Sequence, residues 1–379
     1  MAQSAEVQDL VNHKPAEKPD VQRFLVLDGM RGLAAFAVIL DHVSSETLRA
    51  WFPGRYLAVD FFFVLSGFVL AHAYGQRLAS GALTPLGFLK IRLIRLYPLY
   101  LLGLAIGLAF EVLSVLRGWQ ATALSDVAII ALLGLAFVPT PPVFNLASAN
   151  LYPLNSPAWS LFFELVVNFV YALVARFLSW RVFAIGLPVA AAAVAFTVMR
   201  SSDLGPGWVW GHFDAGLARV IYGFFAGVLI YRLRSVIRIP AVPAWAAVLL
   251  LLAIFAVPTA SFFWRQALDV FAAIVLMPLL VAFASGAKVN GPLARACGWL
   301  GALSYGVYVL HWPLARFVEY GLQFAGVTLP YGFLHVVLVG LVAATIAAIT
   351  LRFYDEPVRR MLAGRAKKGL LSVTAGEAS

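Results

Sequence analysis

The stretch LDGMRGLAAFAVILDHV, Leu27 to Val43, decides how the chain is read. It is as apolar as a lipid-facing helix, yet it carries Arg31 and His42, with Asp41 as the one charged residue between them. On a helix of 3.6 residues per turn these two positions are about three turns and roughly 16 Å apart, on nearly one face. Arg31 and His42 are therefore expected on a single stripe, one near each end of the apolar run. Ionisable groups inside a membrane helix are costly and point by default to a functional site.

The rest of the chain supplies the membrane context. Of its 379 residues, 62% are hydrophobic and 12% charged, well above the apolar share of a soluble domain. Runs of about 17–25 apolar residues, enough to cross a bilayer, recur along the chain. Basic connections mark the cytoplasmic side under the positive-inside bias. They are Arg77 with Lys90, Arg92 and Arg95; Arg176 with Arg181; Arg232, Arg234 and Arg238; Lys288 with Arg295; and Arg359 to Lys368. Together they predict an all-α, polytopic integral membrane bundle of about ten transmembrane helices with both termini cytoplasmic. The spans fall near 31–50, 57–76, 96–116, 160–177, 182–199, 215–232, 243–258, 267–285, 297–318 and 333–352. Val127 to Val138 is too short to cross and reads as interfacial or re-entrant.

Residues 1–23 read as a disordered cytoplasmic tail rather than a signal peptide or anchor. Residues 24–358 form the transmembrane domain, and 359–379 a basic cytoplasmic tail. The single cysteine, Cys297, excludes an internal disulfide and a cysteine metal cluster, so no metal is expected. The net charge of +10 would suggest nucleic acid in a soluble protein. Here loop arginines account for it, and no nucleic-acid partner is expected.

Several apolar segments carry polar stripes. Asp60 opens VDFFFVLSGFVL. In NSPAWSLFFELVVNFVY, Ser156 suits an N-cap and Pro157 a first helical position, and Ser160, Glu164 and Asn168 follow every four residues on one face. In LSYGVYVLHWPL, Ser304, Tyr308 and His311 share a face, and Arg219 sits in LARVIYGFFAG. A bundle turns such stripes toward one another. Each also has a plainer reading. Glu164 with Arg219 could be a structural ion pair, Ser66 a small residue for close packing, and His72 and His335 structural. On the basic side, Arg92 and Arg95 share a helical face with Lys90 nearby. They serve either as topology anchors or as a phosphate site, since guanidinium groups match phosphate oxygens.

These pieces occur in an order that resembles the membrane acyltransferase family 3, which O-acylates glycans, lipids, peptidoglycan and macrolides. The resemblance covers about residues 24 to 358 and rests on LDGMRGLAAFAVILDH, VDFFFVLSGFVLA, RLIRLYPLYLL, NSPAWSLFFE, YGVYVLHWPL and FYDEPVRR. It implies an arginine–histidine motif at Arg31 and His42 and an acyl-CoA motif at Arg92 and Arg95. It also implies a serine–glutamate motif at Ser160 and Glu164 and a late element at Tyr308 and His311. Phe62 and Phe163 depart locally from the pattern.

The implied chemistry moves an acyl group, acetyl by analogy, from cytoplasmic acyl-CoA to a hydroxyl of a glycan or lipid-linked sugar. An exopolysaccharide or lipopolysaccharide unit at a bacterial inner membrane, among membrane lipids, is the expected setting. The transfer needs a base for the hydroxyl proton, a task that suits His42, and a donor for the developing oxyanion. A covalent acyl-histidine is the other route open to His42. Asp41, Asp60 or Glu164 could orient the imidazole, and Arg31, Tyr308 or His311 could polarise the carbonyl. Arg92 and Arg95, with Lys90, would hold the anionic part of acyl-CoA. The competing class is a membrane transporter or flippase for a glycan or lipid, whose midplane charges would bind substrate.

Overall fold

Thirteen α-helices carry the architecture of the described residues, and among these residues there is no strand, only an isolated bridge between Asn150 and Val209. The computed structural model describes residues 24–364 apart from 44, 121, 145–148, 202–204, 206, 259–260 and 328–331. The expected tail at 1–23 and residues 365–379 of the expected basic tail lie outside the described residues. In chain order the helices are α1 (Leu25–Val43), α2 (Glu46–Trp51), α3 (Ala58–Ala79), α4 (Pro85–Leu116), α5 (Leu124–Leu135) and α6 (Ala158–Val174). They continue with α7 (Trp180–Arg200), α8 (Phe213–Leu233), α9 (Ala244–Ala256), α10 (Phe262–Phe271), α11 (Met277–Ala284), α12 (Gly291–Phe324) and α13 (Phe333–Thr350).

Seven segments are long and apolar enough to cross a membrane: Arg55–Ala79, Pro85–Leu116, Ala158–Phe177, Trp180–Arg200, Trp210–Leu233, Phe263–Ala284 and Phe333–Gly364. Three expected spans fall short for separate reasons. The run at 31–50 is broken: α1 ends at Val43 and α2 is a distinct short helix, N-capped by the Ser45 hydroxyl. Asp28, Arg31 and Asp41 also leave α1 with too much charge to count by composition. The run at 243–258 becomes α9, only 13 residues long. The run at 297–318 lies inside the 34-residue α12, whose polar positions dilute it. The segment at Val127–Val138 forms α5, 12 residues long. Its C-terminal carbonyls are held by α4, where the Tyr97 hydroxyl donates to Leu135 and the Tyr100 hydroxyl donates to Gly134 at 2.7 Å.

Two helix pairs frame the interior. α1 runs along α12, and α3 along α8. The second pair approaches backbone to backbone: a Cβ at Gly67 would stand 1.9 Å from the Phe224 carbonyl oxygen, and one at Gly227 would stand 2.0 Å from that of Val64. Only glycine fits there, as at small-residue crossings in membranes. α4 packs on both α6 and α12, closing the ring around the polar residues. At the chain's far end the last helix continues past Thr350 to Gly364, and Arg359 pairs with Asp355 at 2.7 Å. The expected cap also differs. Ser156 does not cap α6; its hydroxyl accepts from the Asn150 side-chain amide at 3.1 Å, and Pro157 precedes the first helical residue.

Candidate functional site

Two cavities meet inside this ring. The first, about 160 Å³, is lined by Arg31, Arg92 and Arg95 together with Ser160, Glu164 and Tyr308. The second, about 730 Å³, is lined by His42, Arg49, Arg55, Trp159, Trp312 and again Tyr308. Val59 and Tyr308 belong to both walls, so these two residues form the partition.

The stripe on α1 is real and faces α12. Arg31 donates from Nε to the Ser304 hydroxyl at 2.9 Å and from Nη2 to the Gly301 carbonyl at 2.7 Å, and it pairs with Asp28 at 3.0 Å. At the other end, His42 Nδ1 lies 3.1 Å from His311 Nε2. Arg31 and His42 thus pack on Ser304 and His311, seven residues apart on one face of α12.

The backbone fixes the proton positions of this histidine pair. His311 Nδ1 lies 2.7 Å from the Tyr308 carbonyl and 3.2 Å from that of Val307. A carbonyl only accepts, so His311 Nδ1 carries hydrogen and, in the neutral ring, Nε2 is left as acceptor. His42 Nδ1 faces that acceptor and the Val38 carbonyl at 3.0 Å. It must therefore be the protonated nitrogen, which leaves the His42 Nε2 lone pair available. This is the tautomer a general base requires. Trp312 packs edge-on to the His42 ring, with centroids 5.1 Å apart.

At the partition, the Ser160 and Tyr308 hydroxyls are 2.6 Å apart, and each also reaches the Pro157 carbonyl, at 3.2 and 3.3 Å. Two hydroxyl hydrogens serve one short contact and one long contact to the carbonyl. The long one is the easier to redirect.

The carboxylates are placed differently from the plainer expectation. Glu164 does not pair with Arg219. It accepts from Arg92 at 2.8 Å and from the Ser66 hydroxyl at 2.8 Å, so Ser66 is a cavity hydrogen-bond donor as well as a small residue. Arg219 instead makes a bidentate pair with Asp60, Nε to Oδ1 at 3.0 Å and Nη2 to Oδ2 at 2.8 Å, and both side chains are buried. Asp41 pairs with Arg55 at 2.8 Å. Asp41, Asp60 and Glu164, expected to orient the His42 imidazole, are instead each held by an arginine, and the orienting place falls to His311, expected among the groups that polarise the carbonyl. Asp60 instead ties α3 to α8. Asp60→Asn is expected to destabilise the fold by about 3–5 kcal/mol, because it strands a buried guanidinium. Asp60→Leu combined with Arg219→Met should recover much of that loss, read by thermal unfolding in detergent; equal losses in single and double variants would deny the pairing its structural role.

Arg92 and Arg95 reach the first cavity, whereas Lys90 is exposed and does not line it. Asn168, on the same face of α6 as Ser160 and Glu164, is buried away from both cavities, without a hydrogen-bond partner for its amide among the described residues. Sequence reasoning missed Tyr305, whose ring Arg95 covers at 5.8 Å, and it missed Arg49 and Arg55. Arg49 falls near the end of the expected span 31–50 and Arg55 between it and the next, on the side expected to be external, and arginines there were the available signal.

A family model described as an acyltransferase domain matches residues 24–353. The chain is 46% identical over 165 residues to protein 2 in the picA locus of Rhizobium radiobacter, covering 40% of this chain and 82% of that protein. It is 32% identical over 107 residues to the O-acetyltransferase OatA of Staphylococcus aureus, covering 28% of this chain and 17% of OatA, so that match spans only a small part of the relative. No solved structure matches significantly. The chain belongs to the membrane acyltransferase family 3.

Proposed function

We propose that this acyltransferase takes an acyl group, acetyl for preference, from cytoplasmic acyl-CoA and passes it to a hydroxyl of a glycan or lipid-linked sugar. Its setting is a bacterial inner membrane, crossed about ten times with both termini inside. The observation that carries this reading is the meeting of an arginine-lined cavity with a histidine-lined one at Tyr308. Arg31, Arg92 and Arg95 suit the phosphates of the donor. The thin pantetheine arm then delivers the thioester to the partition, where the acceptor hydroxyl arrives from the His42 side.

The transfer balances with the residues present. His42 Nε2 takes the hydroxyl proton as the oxygen attacks the thioester carbon. The resulting imidazolium is steadied by its Nδ1–H on His311 Nε2. With the Ser160 hydroxyl donating to Tyr308, the oxyanion receives the Tyr308 hydroxyl hydrogen that otherwise points at the Pro157 carbonyl. The carbon–sulfur bond breaks, and the proton on His42 passes to the departing thiolate. Oxyanion donors of this kind contribute about 10²–10³-fold. Tyr308→Phe is accordingly expected to lower kcat by about that factor with little change in donor affinity. An unchanged kcat would remove Tyr308 from the chemistry.

The reading is tested by giving the purified protein isotopically labelled acetyl-CoA and following label into water and into added saccharide. Slow hydrolysis and faster transfer are expected. A transporter or flippase would give neither. Topology is tested by reporter fusions after Gly364 and within Arg232–Arg238, both expected to report cytoplasmic; an external signal at either would overturn the span count.

A further inference from the structure

The second cavity holds more positive charge than its own carboxylates meet. Arg55 is paired with Asp41 and Arg219 with Asp60, each at 2.8 Å. Arg49 lines the same cavity, yet it takes no ion pair among the described residues, and its Nε is shielded from solvent without a hydrogen-bond partner among them. By contrast, each arginine of the first cavity already faces a carboxylate: Arg31 on Asp28, Arg92 on Glu164, Arg95 toward Asp355. A guanidinium held at a cavity wall without its own carboxylate is suited to an incoming anion, since its planar fork matches carboxylate and phosphate alike.

The neighbouring surface narrows what carries that anion. Trp159, Trp208 and Trp312 line the cavity with Arg49 and His42. Indole rings offer flat apolar faces with a polar edge, which suits the C–H face of a sugar ring with hydroxyls at its rim. A volume of about 730 Å³ falls within the usual range of small-molecule sites.

We infer that the acceptor is an anionic saccharide, bearing a carboxylate or a phosphate on or beside the sugar that receives the acyl group. Arg49 holds the anion, the tryptophans hold the ring, and a hydroxyl is turned toward His42. This deepens the transferase reading of the previous subsection and rests on it.

The test titrates the full-length protein in detergent, by calorimetry, with three probes: a neutral glucose oligosaccharide, a matched glucuronate-containing oligosaccharide, and glucose 1-phosphate. At least one anionic probe is expected to bind about tenfold or more tighter than the neutral one. Arg49→Gln should erase that preference and Arg49→Glu should reverse it, while Arg49→Lys restores it in part. Tight binding of glucuronate alone assigns the anion to a carboxylate, and of glucose 1-phosphate alone to a phosphate; either upholds the inference. Equal binding of neutral and charged probes, or an anion preference that survives Arg49→Gln, overturns it. So does displacement of the bound anion by CoA, which would give this cavity to the donor. Hydrolysis of acetyl-CoA by the unmodified protein separates the two levels. Hydrolysis without any anion preference keeps the transferase and sinks the acceptor class, whereas Arg49-dependent anion binding without hydrolysis sinks the transferase and keeps the anion site.

Discussion

His42→Ala abolishes acyl transfer in membranes while leaving acyl-CoA binding nearly unchanged: this is the largest effect expected of any single substitution. The reason lies in the fixed chain of hydrogen bonds behind the imidazole. The Tyr308 carbonyl commits the His311 Nδ1 hydrogen, His311 Nε2 accepts, and His42 Nδ1 is the partner that donates. The His42 Nε2 lone pair is thereby aimed and held ready. A positioned base contributes typically about 10²–10⁴-fold, and alanine removes it outright. On the proposed reading donor affinity is set in the other cavity, by arginines, and a base acts mainly in the transition state. His311→Ala is the graded companion. It removes the Nε2 acceptor but leaves the Val38 carbonyl, 3.0 Å away, to hold the His42 Nδ1 hydrogen. Turnover should therefore fall less than in His42→Ala, while KM for the donor stays level. Near wild-type transfer by His42→Ala would make the histidine structural; a His311→Ala loss equal to that of His42→Ala would mean both rings handle the proton.

The α1 stripe was legible from periodicity alone, because 3.6 residues per turn put Arg31 and His42 on one face and the cost of lipid exposure turned that face inward. Their partners on α12 were legible as a class, since Ser304, Tyr308 and His311 form the matching stripe. Pairing across helices was not. Nothing in the spacing says that Asp60 meets Arg219 and that Glu164 meets Arg92, because which carboxylate meets which arginine depends on helix rotation and depth. The break after Val43 was hidden for a related reason: Glu46 to Trp51 is helical again, so the pattern carries on across it. α1 and α12 carry the polar residues of the candidate site, and for that reason neither counts as a span by composition although both were expected to cross.

Arg95→Ala should weaken donor binding more than Arg92→Ala, although the two residues occupy equivalent places in the same motif. Within the cavity Arg92 is committed: it holds Glu164 at 2.8 Å, and Glu164 is also held by Ser66. Arg95 stands 3.7 Å from Asp355, beyond hydrogen-bond length, and Arg359 pairs more closely with that carboxylate, at 2.7 Å. A phosphate can therefore recruit Arg95 without breaking a short contact, whereas recruiting Arg92 costs the Glu164 pair. Hydrogen bonds to charged groups are worth about 1.5–3 kcal/mol, so Arg95→Ala should raise the Kd for a non-hydrolysable acetyl-CoA analogue by about ten- to a hundredfold. Arg95→Lys should restore only part of this, since an ammonium lacks the bidentate fork. Arg92→Ala should appear first as lost stability, because it leaves the Glu164 carboxylate in a mostly buried site without its cation. Glu164→Gln in the same chain should relieve that loss of stability. Calorimetric titration of these variants beside the unmodified chain decides the matter: equal affinities for the Arg95→Ala and unmodified chains would mean that the phosphates bind elsewhere, and a larger affinity loss in Arg92→Ala than in Arg95→Ala would mean that the donor breaks the Glu164 pair on entry.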